Sequence, residues 1–329
     1  MADDVVLAVE NLTTQFFLKA GRLDAVTDVS FTVKAGRVLC IVGESGSGKS
    51  VTARSIMRLI DPPGRIAGGR LLLRGRNLLD LGEKDMEAIR GDRLSMIFQN
   101  PMTSLNPAFS VGEQIAEGIV LHRKLSRTEA RRQAEELLDM VGIPDAARRY
   151  DDYPHRFSGG MRQRILIAAA IACNPDVLIA DEPTTALDVT IQAQILKLLK
   201  RLQDELRNAL ILITHDLGVV AVIADDVAVM YAGRIVEQAP VATIFAHPIH
   251  PYTRGLIAAM RSIETVGEPL AAIKGMPMVP IDRPPGCAFA PRCTRRVERC
   301  TMADPAVETI APDHTVACFR AREQEGGPA

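Results

Sequence analysis

No stretch of this 329-residue chain approaches the ~18 to 20 consecutive apolar residues needed to cross a bilayer. The longest apolar run, residues 165–173, is about half that, so the chain is not expected to span a membrane itself. A surplus of charge is also lacking: 39 basic residues stand against 40 acidic ones, which removes the electrostatic argument for a nucleic-acid partner. The opening residues, MADDVVLAVENL, are acidic and pass directly into a β-like pattern, without the basic-then-apolar layout of a signal peptide. A cytoplasmic chain with reduced or metal-bound cysteines is therefore expected. No internal repeat is visible, and the final residues, REQEGGPA, read as a frayed tail. The length exceeds one average domain and suggests a main domain with a smaller appendage.

Residues 43–50 read GESGSGKS, which fits the phosphate-binding pattern G-x-x-x-x-G-K-[ST]. An apolar β-like run at 38–42 leads into it and a helix-compatible segment begins near Lys49, the strand, loop and helix context that the pattern requires. Gly43, Gly46 and Gly48 let backbone N–H groups turn inward around phosphates, with Glu44, Ser45 and Ser47 as the intervening loop positions. Lys49 supplies charge to the β and γ phosphates, Ser50 a hydroxyl to Mg²⁺, and the helix N-terminus a favourable dipole end. Nucleotide binding is implied. The Arg-rich segment 126–141 has a blander explanation as a surface helix. Arg131 and Arg132 face Glu135 and Glu136 at i,i+4, Ala130, Ala134, Leu137, Leu138 and Val141 form an apolar stripe, and Ser126 with Glu129 makes a capping box.

Further along, the apolar residues 177–180 end in Asp181 and Glu182. A buried strand there, of Walker B type, delivers two carboxylates at its C-terminal end: Asp181 to hold Mg²⁺ through its water shell, and Glu182 to polarise an attacking water. Two acids can also simply open a loop after a core strand, a reading that weakens beside the loop at 43–50. Between the two motifs, FSGGMRQRILIAAAIACNP opens a helix at Ser158, Gly159 and Gly160, with Ile165, Ala168, Ile171 and Ala172 on overlapping apolar turns. These N–H groups suit a further phosphate, although Ser-Gly-Gly before a helix is by itself more often a cap and turn.

The order of these motifs resembles an ABC-type ATPase subunit over about residues 5–245. FSGGM is similar to that family's LSGGQ signature; Phe157 and Met161 depart from it, while Ser158, Gly159 and Gly160, which the resemblance places on the γ-phosphate, are intact. The resemblance further implies that Gln99, closing the apolar strand at 94–98, is the Q-loop glutamine that contacts Mg²⁺ and the water and links to the membrane partner. Asp188, in TTALD, matches the D-loop, and His215, after 209–214, matches the switch histidine on the γ-phosphate. Phe16, with Phe17 as its competitor, would stack on adenine. In the family two subunits sandwich two ATP molecules head to tail, so a monomer is expected to be nearly inactive.

After about residue 245 the chain changes character. Pro248, Pro251, Pro269, Pro277, Pro280, Pro284 and Pro285 punctuate short apolar pieces, and four of the six cysteines follow. Cys287, Cys293, Cys300 and Cys318 stand in C-x5-C-x6-C-x17-C spacing. Four sulfur ligands suit tetrahedral zinc or an iron–sulfur cluster, the spacing matches neither zinc ribbons nor ferredoxins, and plain buried thiols are a third reading. Core packing explains Cys40 and Cys173. HPYTRGL at 250–256, RPPGCAFAPRC at 283–293, QNPMTSLNP at 99–107 and ADEPTTALDVTIQAQIL at 180–196 are similar to the oligopeptide/dipeptide branch of ABC importer ATPases. This extends the resemblance over nearly the whole chain. The branch implies a [4Fe–4S] cluster on the four cysteines, with Zn²⁺ as the alternative.

The expected fold is α/β. A P-loop ABC-type core has a parallel sheet carrying the phosphate loop and the strand ends at Gln99, Asp181 and His215, beside an N-terminal antiparallel β portion. A helical insert covers about 100–165 within an ATPase domain at 1–245, and an extension at 246–329 holds the four-cysteine metal site. The implied function is ATP hydrolysis with Mg²⁺, energising a binding-protein-dependent importer of dipeptides or oligopeptides, or alternatively of nickel, glutathione or opine-like compounds. The implied partners are a second ABC ATPase subunit, as a heterodimer rather than a homodimer, two transmembrane permease subunits, and indirectly an external solute-binding protein. The implied location is the cytoplasmic face of a prokaryotic inner membrane. A soluble ABC ATPase of DNA repair or translation is the rival, but neither coiled-coil arms nor a second cassette is present. A metal-binding sensor in which ATP only switches conformation is a further rival, against which Glu182 and His215 argue.

Overall fold

The computed structural model describes residues 4–185, 187–264, 273–281, 283 and 285–324; residues 325–329 of the expected tail, and Pro269 and Pro284, lie outside the described residues. In chain order the strands are β1 (Val5–Leu18), β2 (Gly21–Lys34), β3 (Val38–Val42), β4 (Gly64–Leu73), β5 (Arg76–Asn77), β6 (Leu94–Ile97), β7 (Val177–Asp181), β8 (Ala209–Thr214), β9 (Asp226–Tyr231), β10 (Arg234–Pro240), β11 (Glu308–Ala311) and β12 (His314–Val316). The α-helices are α1 (Lys49–Ile56), α2 (Glu83–Ile89), α3 (Pro101–Ser104), α4 (Val111–Arg123), α5 (Arg127–Met140), α6 (Ala146–Arg149), α7 (Gly159–Ile171), α8 (Val189–Leu206), α9 (Leu217–Ile223), α10 (Val241–Ala246), α11 (Pro251–Glu264) and α12 (Arg299–Met302). The chain separates into two compact units, one formed by Met1–Leu7, Thr32–Arg37 and Leu72–Ile213, the other by Ala8–Phe31, Val38–Leu71 and Thr214–Ala329.

In the first unit β6, β7 and β8 are parallel neighbours, with Leu94 opposite Val177, Val177 opposite Ala209 and Asp181 opposite Ile213. Every residue of the three is buried. Parallel strands covered on both faces read as unbroken apolar runs, which is why these segments stand out in the sequence. Each Leu or Ile so buried contributes about 1.5–3 kcal/mol. The segment after β6 is helical. Capping boxes at Ser110 with Glu113 and at Ser126 with Glu129 start α4 and α5, as two side chains satisfy otherwise unpaired N–H groups reciprocally. The stripe expected on α5 packs inward through Ala130, Ala134, Leu138 and Val141, while Arg131–Glu135 and Arg132–Glu136 pair on its outer side.

In the second unit β3 and β9 run parallel, with Leu39 opposite Asp226 and Val42 opposite Val229. Antiparallel pairings then continue from β9 to β10, β12 and β11, so strands from the end of the chain extend this sheet. The long strands β1 and β2 are neighbours, and β4 lies on the other side of β1. Val9, Leu12, Val26, Val29 and Phe31 point from β1 and β2 into the core. The fold is thus the expected α/β class with an antiparallel portion and a helical portion. Among the described residues no helix is long and apolar enough to cross a membrane.

Candidate active site

The phosphate-type loop hangs between β3, buried throughout, and α1, whose N-cap is Gly48. Gly48 has φ +104°, and a Cβ there would sit 2.4 Å from the carbonyl oxygen of Ala25; one on Gly43 would sit 2.2 Å from that of Met230. Only glycine meets both demands at position 48. Lys49 is 4% exposed, and its ammonium donates to the carbonyls of Gly43 (2.7 Å) and Glu44 (2.9 Å), with the Ser47 hydroxyl at 3.4 Å. The lysine thereby curls the loop around itself. Ser45 and Gly46 are exposed at its tip, and Ser50 is half-buried in the first turn of α1.

Two further expected residues belong to this unit. Phe16 is half-buried, with its ring so close to Gly64 that a Cβ there would meet it at 2.5 Å. Phe17 is 46% exposed and carries the Arg65 guanidinium 4.7 Å from its ring centre. His215 is exposed just beyond β8, ahead of Asp216, whose carboxylate caps α9 by accepting from Gly218 and Val219 N–H.

In the first unit, β7 ends at Asp181, 2% exposed. The following Glu182 has φ +46°, and its N–H donates to the carbonyl of Ile213 at 2.9 Å. One carboxylate oxygen, Oε2, accepts from Gln99 Nε2 at 2.9 Å and from Thr185 Oγ1 at 2.9 Å. Gln99 and Glu182 are therefore brought together; β6 itself ends at Ile97, two residues before Gln99. Thr185 had no assigned role in the sequence, where it is one of several small residues in TTALD. Asp188 is exposed and caps α8, accepting from Ile191 N–H at 2.9 Å.

The Ser-Gly-Gly segment opens α7, with Ser158 Oγ accepting from Met161 N–H at 3.4 Å. A Cβ on Gly159 would make ordinary contact with Leu187 at 3.6 Å, whereas one on Gly160 would approach Ile191 Cγ2 to 2.7 Å. Phe157 is 4% exposed beneath Arg149, so the aromatic residue there fills an ordinary apolar position. Arg162 braces the approach to the helix by donating to the carbonyls of Pro154 and Phe157.

Comparison with known proteins gives this geometry a context. The ABC transporter family model matches residues 26–185, and the model of the oligopeptide/dipeptide transporter C-terminal region matches residues 236–300. The oligopeptide transport ATP-binding protein AppD of Bacillus subtilis is 49% identical over 97% of this chain and 98% of its own. The oligopeptide transport ATP-binding protein OppD of Salmonella typhimurium is 48% identical over 98% and 95%. The chain belongs to the oligopeptide/dipeptide branch of the ABC transporter ATPases. Among solved structures, a dimeric ATP-binding cassette in a post-hydrolysis state with ADP and Pi superposes with TM-score 0.64 at 27% identity, covering 71% of this chain and 98% of that one. CbiO1 of Clostridium perfringens, part of an ABC transporter complex, superposes with TM-score 0.63 at 30% identity, covering 74% and 92%.

In this ABC ATPase the C-terminal cysteines line one cavity together, with His250, Arg295 and Arg320 also on its wall. Pairing of β12 with β10 sets the position of Cys318. The Cys287 N–H donates to the Cys300 carbonyl at 2.8 Å, and a Cβ on the adjacent Gly286 would meet that same carbonyl oxygen at 2.8 Å. Burial pushes the Cys287 thiol up to about 11 and raises Cys293 and Cys318 as well, with the neighbouring thiols adding to each effect. Among the described residues, however, no group of three or more His, Cys, Asp or Glu side chains stands as a formed metal-ligand set. The four cysteines share a cavity but do not form, among the described residues, the metal-ligand set expected of the extension. Cys40 and Cys173 are buried, in keeping with core packing.

The extension also reaches the phosphate loop. Tyr252 Oη accepts from the Glu44 N–H at 2.8 Å, and Arg292 forms a two-pronged ion pair with the Glu44 carboxylate, Nη1 to Oε2 at 2.6 Å and Nη2 to Oε1 at 3.0 Å. Neither residue carried a role in the sequence reading. Tyr252 sits inside HPYTRGL and Arg292 directly before Cys293, so proximity to a motif was the available signal.

Proposed function

We propose that this ABC ATPase energises a binding-protein-dependent importer of dipeptides or oligopeptides. The observation that carries the reading is the Glu182 carboxylate at the end of β7, held by Gln99 and Thr185. A carboxylate fixed at a strand end by hydrogen bonds is suited to orient and polarise a water. Gly43, Glu44, Ser45, Gly46, Ser47, Gly48, Lys49 and Ser50 are assigned to the ATP phosphates, Phe16 to the adenine, and His215 to the γ-phosphate. The cation expected with ATP is Mg²⁺, for which Ser50, Asp181 and Gln99 offer the hard oxygen donors it prefers; when bound it neutralises charge on the phosphates. Ser158, Gly159, Gly160 and Asp188 are assigned to the nucleotide held by a second ATPase subunit. That partner is proposed to be a related chain rather than a second copy. Residues 1–245 form the hydrolytic part in this reading and 246–329 the thiol-bearing part, with two permease subunits receiving the movement at the cytoplasmic face of the membrane.

For the cysteines we favour a [4Fe–4S] cluster over zinc. Four cysteine thiolates would be the ligands in either case. The four cysteines share one cavity, and Arg295 and Arg320 on its wall would offset a cluster's negative charge. The decisive functional assay is uptake into vesicles reconstituted with both ATPase subunits, the permeases and the binding protein. ATP-dependent accumulation of short peptides, with no uptake of nickel or glutathione, is expected; uptake of those solutes instead would overturn the peptide assignment.

A further inference from the structure

We propose that Arg292 and Tyr252 are positioning residues for the phosphate loop, through which the C-terminal extension sets the affinity for nucleotide. This rests on the reading of residues 43–50 as the ATP phosphate loop. Glu44 is the hinge of the argument, because each of its polar groups has a partner. Its carbonyl accepts from Lys49 Nζ at 2.9 Å, its N–H donates to Tyr252 Oη, and its carboxylate is gripped by Arg292. Two of these three anchors come from residues more than 200 positions further along the chain.

Both anchors are rigid. The Arg292 side chain is 4% exposed. It also donates to the Lys274 carbonyl at 3.1 Å, the Ile273 carbonyl at 3.2 Å and the Tyr231 hydroxyl at 3.4 Å, and the guanidinium lies 5.8 Å and 5.9 Å from the ring centres of Tyr231 and Phe289. Tyr252 is fully buried, with ring centres 4.7 Å from Tyr231 and 5.5 Å from Phe289. A planar fork bound through two parallel hydrogen bonds fixes orientation as well as distance. The first half of the loop is therefore fastened to the extension, which leaves residues 46–50 to turn around the phosphates. Freed from these anchors, Glu44 samples other orientations. Nucleotide binding must then reorder the loop, which weakens affinity in proportion to the fraction of loops already competent.

The test uses the full-length chain with a fluorescent ATP analogue as the binding probe, and the assembled transporter for KM and kcat. Arg292→Ala is expected to raise the Kd for the analogue and the KM for ATP about tenfold, with kcat at saturating ATP changed less than about twofold. Arg292→Lys is expected to fall between the two, since a point charge replaces the fork. Tyr252→Phe keeps the ring packing and should raise Kd about threefold. Combining Arg292→Ala with Glu44→Gln should add little to the larger single effect, as the two changes remove one interaction. Should Arg292→Ala fail to fold, Tyr252→Phe and Glu44→Gln decide the matter; unchanged affinity in both overturns the proposal. Lys49→Ala separates the two readings. If it abolishes binding while the clamp variants bind normally, only the clamp is lost; if it binds normally, the loop assignment itself falls.

Discussion

Gln99 Nε2 lies 2.9 Å from Oε2 of Glu182, on the same oxygen that Thr185 Oγ1 reaches at 2.9 Å. Two donors on one oxygen leave the side chain little rotational freedom. Holding the carboxylate in one orientation is the kind of preorganisation that lowers the work of reaching a transition state.

Glu182→Gln replaces the carboxylate by a neutral amide of the same shape. ATP binding is expected to persist while hydrolysis slows by roughly 10²-fold or more, and the closed dimer should accumulate with ATP. Single-turnover assays and size-exclusion chromatography read the two effects; turnover near the wild-type rate removes Glu182 from the mechanism.

Thr185→Val keeps the branched shape but deletes one of the two donors. A hydrogen bond to a charged group contributes about 1.5–3 kcal/mol, so kcat should drop by roughly tenfold or more while KM for ATP stays near its wild-type value. A change confined to KM would instead place Thr185 in nucleotide binding.

The two signature glycines make different demands. Gly160→Ala brings a Cβ to 2.7 Å from Ile191 Cγ2 and is expected to destabilise the chain by about 1–3 kcal/mol through overpacking. Gly159→Ala meets Leu187 at an ordinary 3.6 Å, so stability should move within about 0.5 kcal/mol while ATP-driven dimer formation is lost. Urea unfolding together with light scattering separates these outcomes, and normal dimerisation by Gly159→Ala would sink the phosphate-contact assignment.

Glu237 is fully buried and accepts from the N–H groups of Ile249 and His250 and from His314 Nε2 at 2.8–2.9 Å. Burial pushes its carboxyl upward, but these hydrogen bonds outweigh it and hold the pKa below the ordinary 4.5. With a depressed folded value, its contribution is fully present above about pH 4.5 and lost as pH falls through the lower value. Glu237→Ala leaves these donors without their acceptor and should cost about 3 kcal/mol or more. In urea melts from about pH 6 to pH 3, Glu237→Gln should flatten the acid limb; parallel curves for the two proteins would exclude this role.

On the proposed [4Fe–4S] assignment, anaerobically purified protein is expected to contain iron and sulfide and to absorb broadly near ~400 nm. Because the Cys287, Cys293 and Cys318 thiols are raised by burial, ligation must displace their protons, and a chelator should strip the site more readily as pH falls. Removal should loosen residues 285–320 toward protease while ATP binding remains measurable. Zinc without iron would instead identify the tetrahedral alternative.

The legible parts of the fold share a physical cause. Residues 38–42, 94–97, 177–181 and 209–214 are buried throughout and mostly apolar, since both sides of these strands are covered, and such runs need no partner to be recognised. The helix at 127–140 was equally readable, since its apolar stripe, i,i+4 pairs and capping box are local. By contrast β11 and β12 are short, and β11 alternates only between half-buried and exposed positions. Their pairing beyond β10 left no comparable pattern.

The sequence by itself determined the nucleotide-loop motif, the acidic pair at Asp181 and Glu182, the family signature and the grouping of cysteines, because these depend on residue type at short spacing. Tertiary structure decided what those groups touch: Thr185 beside Glu182, Gly160 against Ile191, Cys318 brought to the other thiols by β12, and Arg292 on Glu44. The difference is one of range. Turn geometry and amphipathicity act within a few residues, whereas a hydrogen bond across 248 positions of chain exists only after the intervening elements have packed.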